Sequence, residues 1–229
     1  MQVCNQVGRG VKVAPASFSA GPFPQNKYHE DHPACYKHIC GANSYSEIKL
    51  DFFFPCLKLL PEIKQITGRK MKQTVARIQI VLVVGKKSAG KTRYLHWLSD
   101  RLREKGKRVA GFLSIGNWDG GEKNRYFLKD LETGESMLLA EKPEHGPADK
   151  PAIGYRFKQP AFNRATARYR EIFNSEILFL DEYGPLEVKR GGFYPALQFL
   201  LKNYQGILFI SVRPSLNKTL LHTIKSAQK

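Results

Sequence analysis

A chain of 229 residues has room for one α/β domain and an appendage, and a hydrophobic share of 42% suffices for a real core. Four cysteines do not make a disulfide scaffold at this length, and no apolar window approaches a membrane span, which argues against disulfide-built and integral-membrane classes. The formal net charge of +17 is spread along the chain rather than gathered into a block, so it favours anionic partners in general, with a solvated basic surface weighted above dedicated nucleic-acid binding.

Residues 1 to about 47 are rich in Gly, Pro, Ser and Asn and show little periodicity. They contain His29, His32, Cys35, His38 and Cys40, residue types that bind zinc, but the spacing fits no standard finger or ribbon. A loosely ordered segment is therefore the preferred reading. The run IKLDFFFPCLKLL at 48–60 is apolar, able to pack on a core, to form a short strand and helix, or to meet a partner. Thr67-Gly68-Arg69-Lys70 reads as a linker, so 1–70 is taken as an extension and 71–229 as the domain.

From residue 71 strands alternate with helices, the pattern of a parallel α/β sheet. Ile78 to Val84 is a continuous apolar, β-branched run of buried-strand type. Leu95, Leu98 and Leu102 mark the first helix, with Gly106 as its C-terminal cap. Val109 to Ile115 is the next strand. Arg125–Asp130 and Ser136–Ala140 flank Glu132-Thr133-Gly134-Glu135 as a small antiparallel hairpin. A short strand at Ile153–Phe157 precedes a helix over about 160–174. Strands follow at Ile177–Leu180 and Ile207–Val212, each trailed by a helix striped with leucine.

Between the first strand and first helix stands GKKSAGKT, residues Gly85, Lys86, Lys87, Ser88, Ala89, Gly90, Lys91 and Thr92, which matches the phosphate-binding P-loop. Gly85 and Gly90 permit backbone angles that a side chain would forbid. Successive N–H groups then curl around a polyphosphate and seat it at the positive end of the helix. Lys91 reaches the β- and γ-phosphates, and the Thr92 hydroxyl serves as a Mg²⁺ ligand. The strand ending in Leu180 carries Asp181 and Glu182, the Walker B arrangement. Asp181 is expected to hold Mg²⁺ opposite Thr92, and Glu182 to orient or deprotonate an attacking water. Ligands of open α/β sheets bind at the carboxyl ends of the strands, where both pieces converge. Arg213, just past Val212, stands at that edge too, as an internal arginine finger or a surface arginine before Pro214.

These residues carry a resemblance. DEYGPLE at 181–187 is similar to the DE-x-G-P-[LM]-E element of the thermophile-type nucleoside-triphosphatases, also called the cancer-related nucleoside-triphosphatase family. GKTRYLHWLSDRLREKGKRVAGFLS at 90–114, the hairpin YFLKDLETGESMLLA at 126–140 and IGYRFKQPAFNRA at 153–165 agree in order. The resemblance covers roughly 78–225 and implies a single P-loop domain of RecA-like kind. It implies Mg²⁺-dependent hydrolysis of ATP, GTP and other nucleoside triphosphates, with broad base tolerance and no established partner. Lys91, Thr92, Asp181 and Glu182 carry over directly. Lys86 and Lys87 depart from the family's small residues or proline, and Tyr183 from its aliphatic residue. The chain also stops soon after its last helix, where a further strand is expected, leaving the sheet short on one edge.

Two other classes stand beside hydrolysis. A kinase would need an acceptor pocket and an arginine-rich lid, for which Arg164, Arg168 and Arg170 are candidates. Their plainer reading is the exposed face of the 160–174 helix. A nucleotide switch would spend turnover on a protein partner, whose identity the sequence does not give. A P-loop enzyme without a secretory pattern is expected in the cytoplasm, where ATP is abundant.

Overall fold

The computed structural model describes residues 36–40, 45–50, 78–119, 122–143 and 154–227. Its strands are β1 (Tyr36–Cys40), β2 (Tyr45–Leu50), β3 (Gln79–Val84), β4 (Val109–Asp119), β5 (Glu122–Asp130), β6 (Ser136–Glu141), β7 (Arg156–Phe157), β8 (Ile177–Tyr183) and β9 (Ile207–Val212). Its helices are α1 (Lys91–Glu104), α2 (Gln159–Glu171), α3 (Pro185–Val188), α4 (Tyr194–Asn203) and α5 (Pro214–Ala227). The strands form one sheet in the order β1-β2-β3-β9-β8-β4-β5-β6-β7.

Five adjacent strands, β2, β3, β9, β8 and β4, run parallel. Antiparallel strands extend both sides, so the sheet is mixed, and the expectation of a mostly parallel sheet holds for its centre. The β5–β6 hairpin is a continuation of the sheet through β4. On the other side the sheet does not end at β3, since β2 pairs with it in register from Tyr45↔Ile80 to Lys49↔Val84. Those strands come from the first 70 residues. Residues 51–77 lie outside the described residues, as do His29, His32 and Cys35 of the candidate cluster; His38 and Cys40 fall on β1.

The apolar run of β3 follows from burial on both faces. Ile80, Leu82 and Val84 pack among Phe162, Tyr169, Leu197, Leu200, Leu220 and Ile224, beneath α2, α4 and α5. Val81 and Val83 pack on the opposite face against Tyr94, Leu95, Leu98 and Leu102 of α1. A strand covered on both sides has no reason to alternate polar and apolar residues. Aromatic pairs tie neighbouring elements: Phe179 of β8 stacks on Phe209 of β9 at 4.9 Å, and Phe112 meets Tyr169 edge-on at 5.3 Å. The α1 helix ends as expected, with Gly106 in the left-handed region and its N–H donating to the Arg103 carbonyl. Among the described residues no helix is long and apolar enough to cross a membrane.

Candidate active site

The carboxyl ends of β3, β9, β8 and β4 bring four short segments together. The P-loop leaves β3 and enters α1. Its first N–H, at Gly85, donates to the Val212 carbonyl at 3.1 Å and so continues the sheet ladder. The left-handed backbone angles fall at Ser88 (φ 62°) and Gly90 (φ 81°), not at Gly85. Gly90 is the glycine whose conformation requires the missing side chain. Lys86, Lys87 and Ser88 are exposed, and Ala89 and Gly90 half-buried, so the loop's cations face outward.

Lys91 is 7% exposed and lays its ammonium back across the loop, donating to the carbonyls of Gly85 and Lys86, each at 3.0 Å. Burial draws that ammonium below the usual lysine range, and the carboxylates of Glu182 and Asp181 oppose the shift. Thr92, one residue on, donates its hydroxyl to Asp181 Oδ2 at 2.7 Å.

Asp181 is buried to 1% exposure and held from three elements at once. Besides Thr92 of α1, the Ser114 N–H of β4 donates to Oδ2 at 3.2 Å, and the Ser211 hydroxyl of β9 donates to Oδ1. The Ser114 hydroxyl also donates to the Asp181 backbone carbonyl at 2.6 Å. Burial pushes the Asp181 carboxyl above the usual range, against the pull of those hydrogen bonds. Sequence reasoning missed Ser114 and Ser211. The signal was a lone hydroxyl near the carboxyl end of an otherwise apolar strand, in VAGFLSI and ILFISV.

Glu182 does something else. The β8–β9 register shifts between Leu180 and Tyr183, and that irregularity contains both carboxylates. Glu182 is one-third exposed and accepts from Arg213 Nε at 3.0 Å. Arg213 thus lies within the site, paired with the glutamate. Arg164 and Arg168 lie elsewhere: they pair with Glu135, Asp130 and Glu132 of the β5–β6 turn. That turn is at the amino end of the parallel strands, because Asp130 stands opposite Phe112 near the start of β4. Arg170 sits over the Phe199 ring at 5.8 Å. The three arginines fasten α2 to its neighbours and form no lid over the P-loop.

The rest of DEYGPLE is scaffold. Glu187, 4% exposed, accepts from the Gly184 N–H at 2.9 Å and the Phe193 N–H at 2.8 Å, fixing the turn that carries the chain from β8 into α3 and α4. Tyr183 is fully buried, with its hydroxyl 3.4 Å from that of Thr223. The β4–β5 hairpin completes the site's flank. Tyr126, raised to about 12 mainly by burial and then by Tyr155, also feels the charges of Glu182 and Arg213.

A buried carboxylate beside a threonine hydroxyl is a hard-oxygen pair, suited to a small divalent cation that takes its remaining ligands from phosphates and water. A lysine over a left-handed loop is suited to a polyphosphate. A family model described as NTPase matches residues 80–229. The chain belongs to that family. The nucleoside-triphosphatase THEP1 of Pyrococcus abyssi is 29% identical over 129 residues, 55% of this chain and 70% of that protein. Its namesake from Caldivirga maquilingensis is 24% identical over 139 residues, 60% of this chain and 78% of that protein. The solution structure of a human cancer-related nucleoside triphosphatase superposes with a TM-score of 0.52 at 20% identity, covering 68% of this chain and 86% of the human one. The likeness in fold and the family match agree with the resemblance carried by DEYGPLE. The protein is a nucleoside-triphosphatase, an enzyme whose substrate is a nucleoside triphosphate.

Proposed function

We propose that this nucleoside-triphosphatase hydrolyses ATP, GTP and other nucleoside triphosphates to the diphosphate and phosphate, with Mg²⁺ and with little choice of base, in the cytoplasm. The observation that carries the reading is the division of labour at the end of β8. Asp181 turns inward to Thr92, Ser114 and Ser211, whereas its neighbour Glu182 stays half-open beside Arg213. Thr92 and Asp181 would hold Mg²⁺, which when bound neutralises charge on the β- and γ-oxygens.

The residues then act in order. The P-loop N–H groups of 85–92 and the Lys91 ammonium bind the polyphosphate, for which Lys91 gives up its two carbonyl acceptors. Lys86 and Lys87 add positive potential at the rim. Ser114 and Ser211 keep Asp181 in one orientation. Glu182 orients a water in line with the γ-phosphorus and receives its proton. Arg213, released from Glu182 when that carboxylate turns to the water, reaches the γ-phosphate as an arginine finger. Base tolerance is what the resemblance to the nucleoside-triphosphatase family implies. Phosphate release across ATP, GTP, CTP and UTP, with Mg²⁺ and with chelator, tests the proposal. Comparable turnover of all four, lost with chelator, is expected; turnover of one base alone, or in chelator, contradicts it.

A further inference from the structure

We propose that the tip of the β4–β5 hairpin is a stacking platform for a second nucleotide, a nucleobase carrying phosphate, with Trp118 taking the base and Lys123 the phosphate. The proposal rests on the nucleoside-triphosphatase reading only for the P-loop being the place of the first nucleotide, to which this one is additional. Beyond Phe112, β4 leaves its pairing with β8 and continues for seven residues paired with β5 alone. Ser114 of this stretch holds Asp181, and Trp118 is four residues further, about 13 Å along an extended strand.

The tip is built rather than incidental. The register shifts between Asn117 and Trp118, a bulge that re-aims the end of the strand. Trp118 is 56% exposed, and Lys123 Nζ lies 5.1 Å from its ring centroid and 5.8 Å from that of Tyr126. Tyr126 packs edge-on against Tyr155 at 5.1 Å, and the Tyr155 hydroxyl donates to the Lys123 carbonyl at 2.8 Å. Gly116 leaves room for these side chains, because a Cβ there would stand 3.0 Å from Lys123 Cδ and 3.3 Å from Tyr126 Cε1. An exposed indole beside an ammonium is the chemistry that binds bases of nucleotides and single strands: a π-face for stacking and a cation for phosphate. Lys123 is also within electrostatic reach of Lys91, whose ammonium is lowered chiefly by burial and only slightly by Lys123.

Trp118 is one of two tryptophans, so a full-length Trp97→Phe protein reports its emission alone. The probes are AMP and an oligothymidylate of ~12 nucleotides, a length within the range one stacking surface spans. Each is titrated with the P-loop saturated by Mg·tripolyphosphate, which carries no base to occupy the platform. Saturable quenching is expected: quenching by AMP assigns a mononucleotide site, and quenching by the oligonucleotide alone assigns a single strand. In calorimetry on the otherwise unaltered protein, Trp118→Ala should weaken the same probe by about 5- to 150-fold and leave NTP affinity unchanged. Lys123→Gln should lower the salt slope of binding by about 1. Absence of quenching by both probes, or equal affinity of parent and Trp118→Ala, overturns the proposal. If Trp97→Phe does not fold, the calorimetric comparison decides alone. These titrations involve no turnover, so their failure leaves the hydrolase reading standing, and failure of that reading leaves them intact.

Discussion

At the scale of residues, the proposed site separates groups placed to meet a phosphate from groups that hold those groups still. Lys91 belongs to the first kind. Its ammonium is bound to two carbonyls of its own loop, within reach of a phosphate seated there. Lys91→Ala trims one lysine stem at the edge of the loop, outside the two apolar clusters of the core, and should leave the fold intact by circular dichroism. Nucleotide binding should weaken at least ~10-fold, the scale of a lost charge-assisted hydrogen bond, and turnover should nearly vanish. Unchanged phosphate release in a folded variant would remove the P-loop from the mechanism. Lys91, Thr92, Asp181 and Glu182 were legible in the sequence because their chemistry fixes their spacing within one strand–loop–helix and one strand end. Ser114 and Ser211 were not, since each acts through a contact across 67 or 30 residues, and a single serine in a strand has no pattern of its own.

At the scale of elements, the turn after β8 depends on one buried carboxylate. Glu187 satisfies two N–H groups that would otherwise be buried without partners. Glu187→Gln keeps one acceptor and sets an NH₂ against the second N–H, so one bond is lost and two donors face each other. The expected cost is about 1–3 kcal/mol, read as a lower midpoint in urea, with NTP affinity of the folded protein little changed. A variant as stable as the parent would show that water or another group already serves this turn. The periodic elements were readable because burial dictates their pattern: β3 and β9 are apolar except for Gln79 and Ser211, and α1 carries leucine at helical spacing. The overrun of β4 past Ile115, over Gly116-Asn117-Trp118-Asp119, was not, because that stretch pairs only with β5 and its composition reads as turn. α2 ends at Glu171, short of the expected 174, where Ile172 leaves helical angles (φ −92°, ψ 4°) and the Ser175 N–H turns onto the Ile172 carbonyl at 3.0 Å.

At the scale of the whole molecule, the first 70 residues and the enzyme proper divide unevenly. The family match begins at residue 80, and every named site residue and its partners lie between 85 and 213. Yet β2 covers the edge of β3 through parallel pairing over five residues. A protein of residues 71–229 should therefore turn over NTP at a rate close to the parent's. The uncovered β3 edge should make it self-associate, since an open strand edge is a template for pairing. Turnover and light scattering of the truncated and full-length proteins check both halves. A monodisperse, folded but inactive truncation would place the extension in the site.

The central claim is that Glu182 activates water while Asp181 serves Mg²⁺, and single-turnover hydrolysis by Glu182→Gln tests it most directly, with Asp181→Asn alongside. A general base contributes on the order of 10²–10⁴ in rate, so Glu182→Gln should bind Mg·NTP about as tightly as the parent yet hydrolyse it at least ~10²-fold more slowly. Asp181→Asn should instead weaken the dependence on Mg²⁺ itself. A Glu182→Gln protein that hydrolyses bound NTP at the parental rate would contradict the account and move water activation to another group.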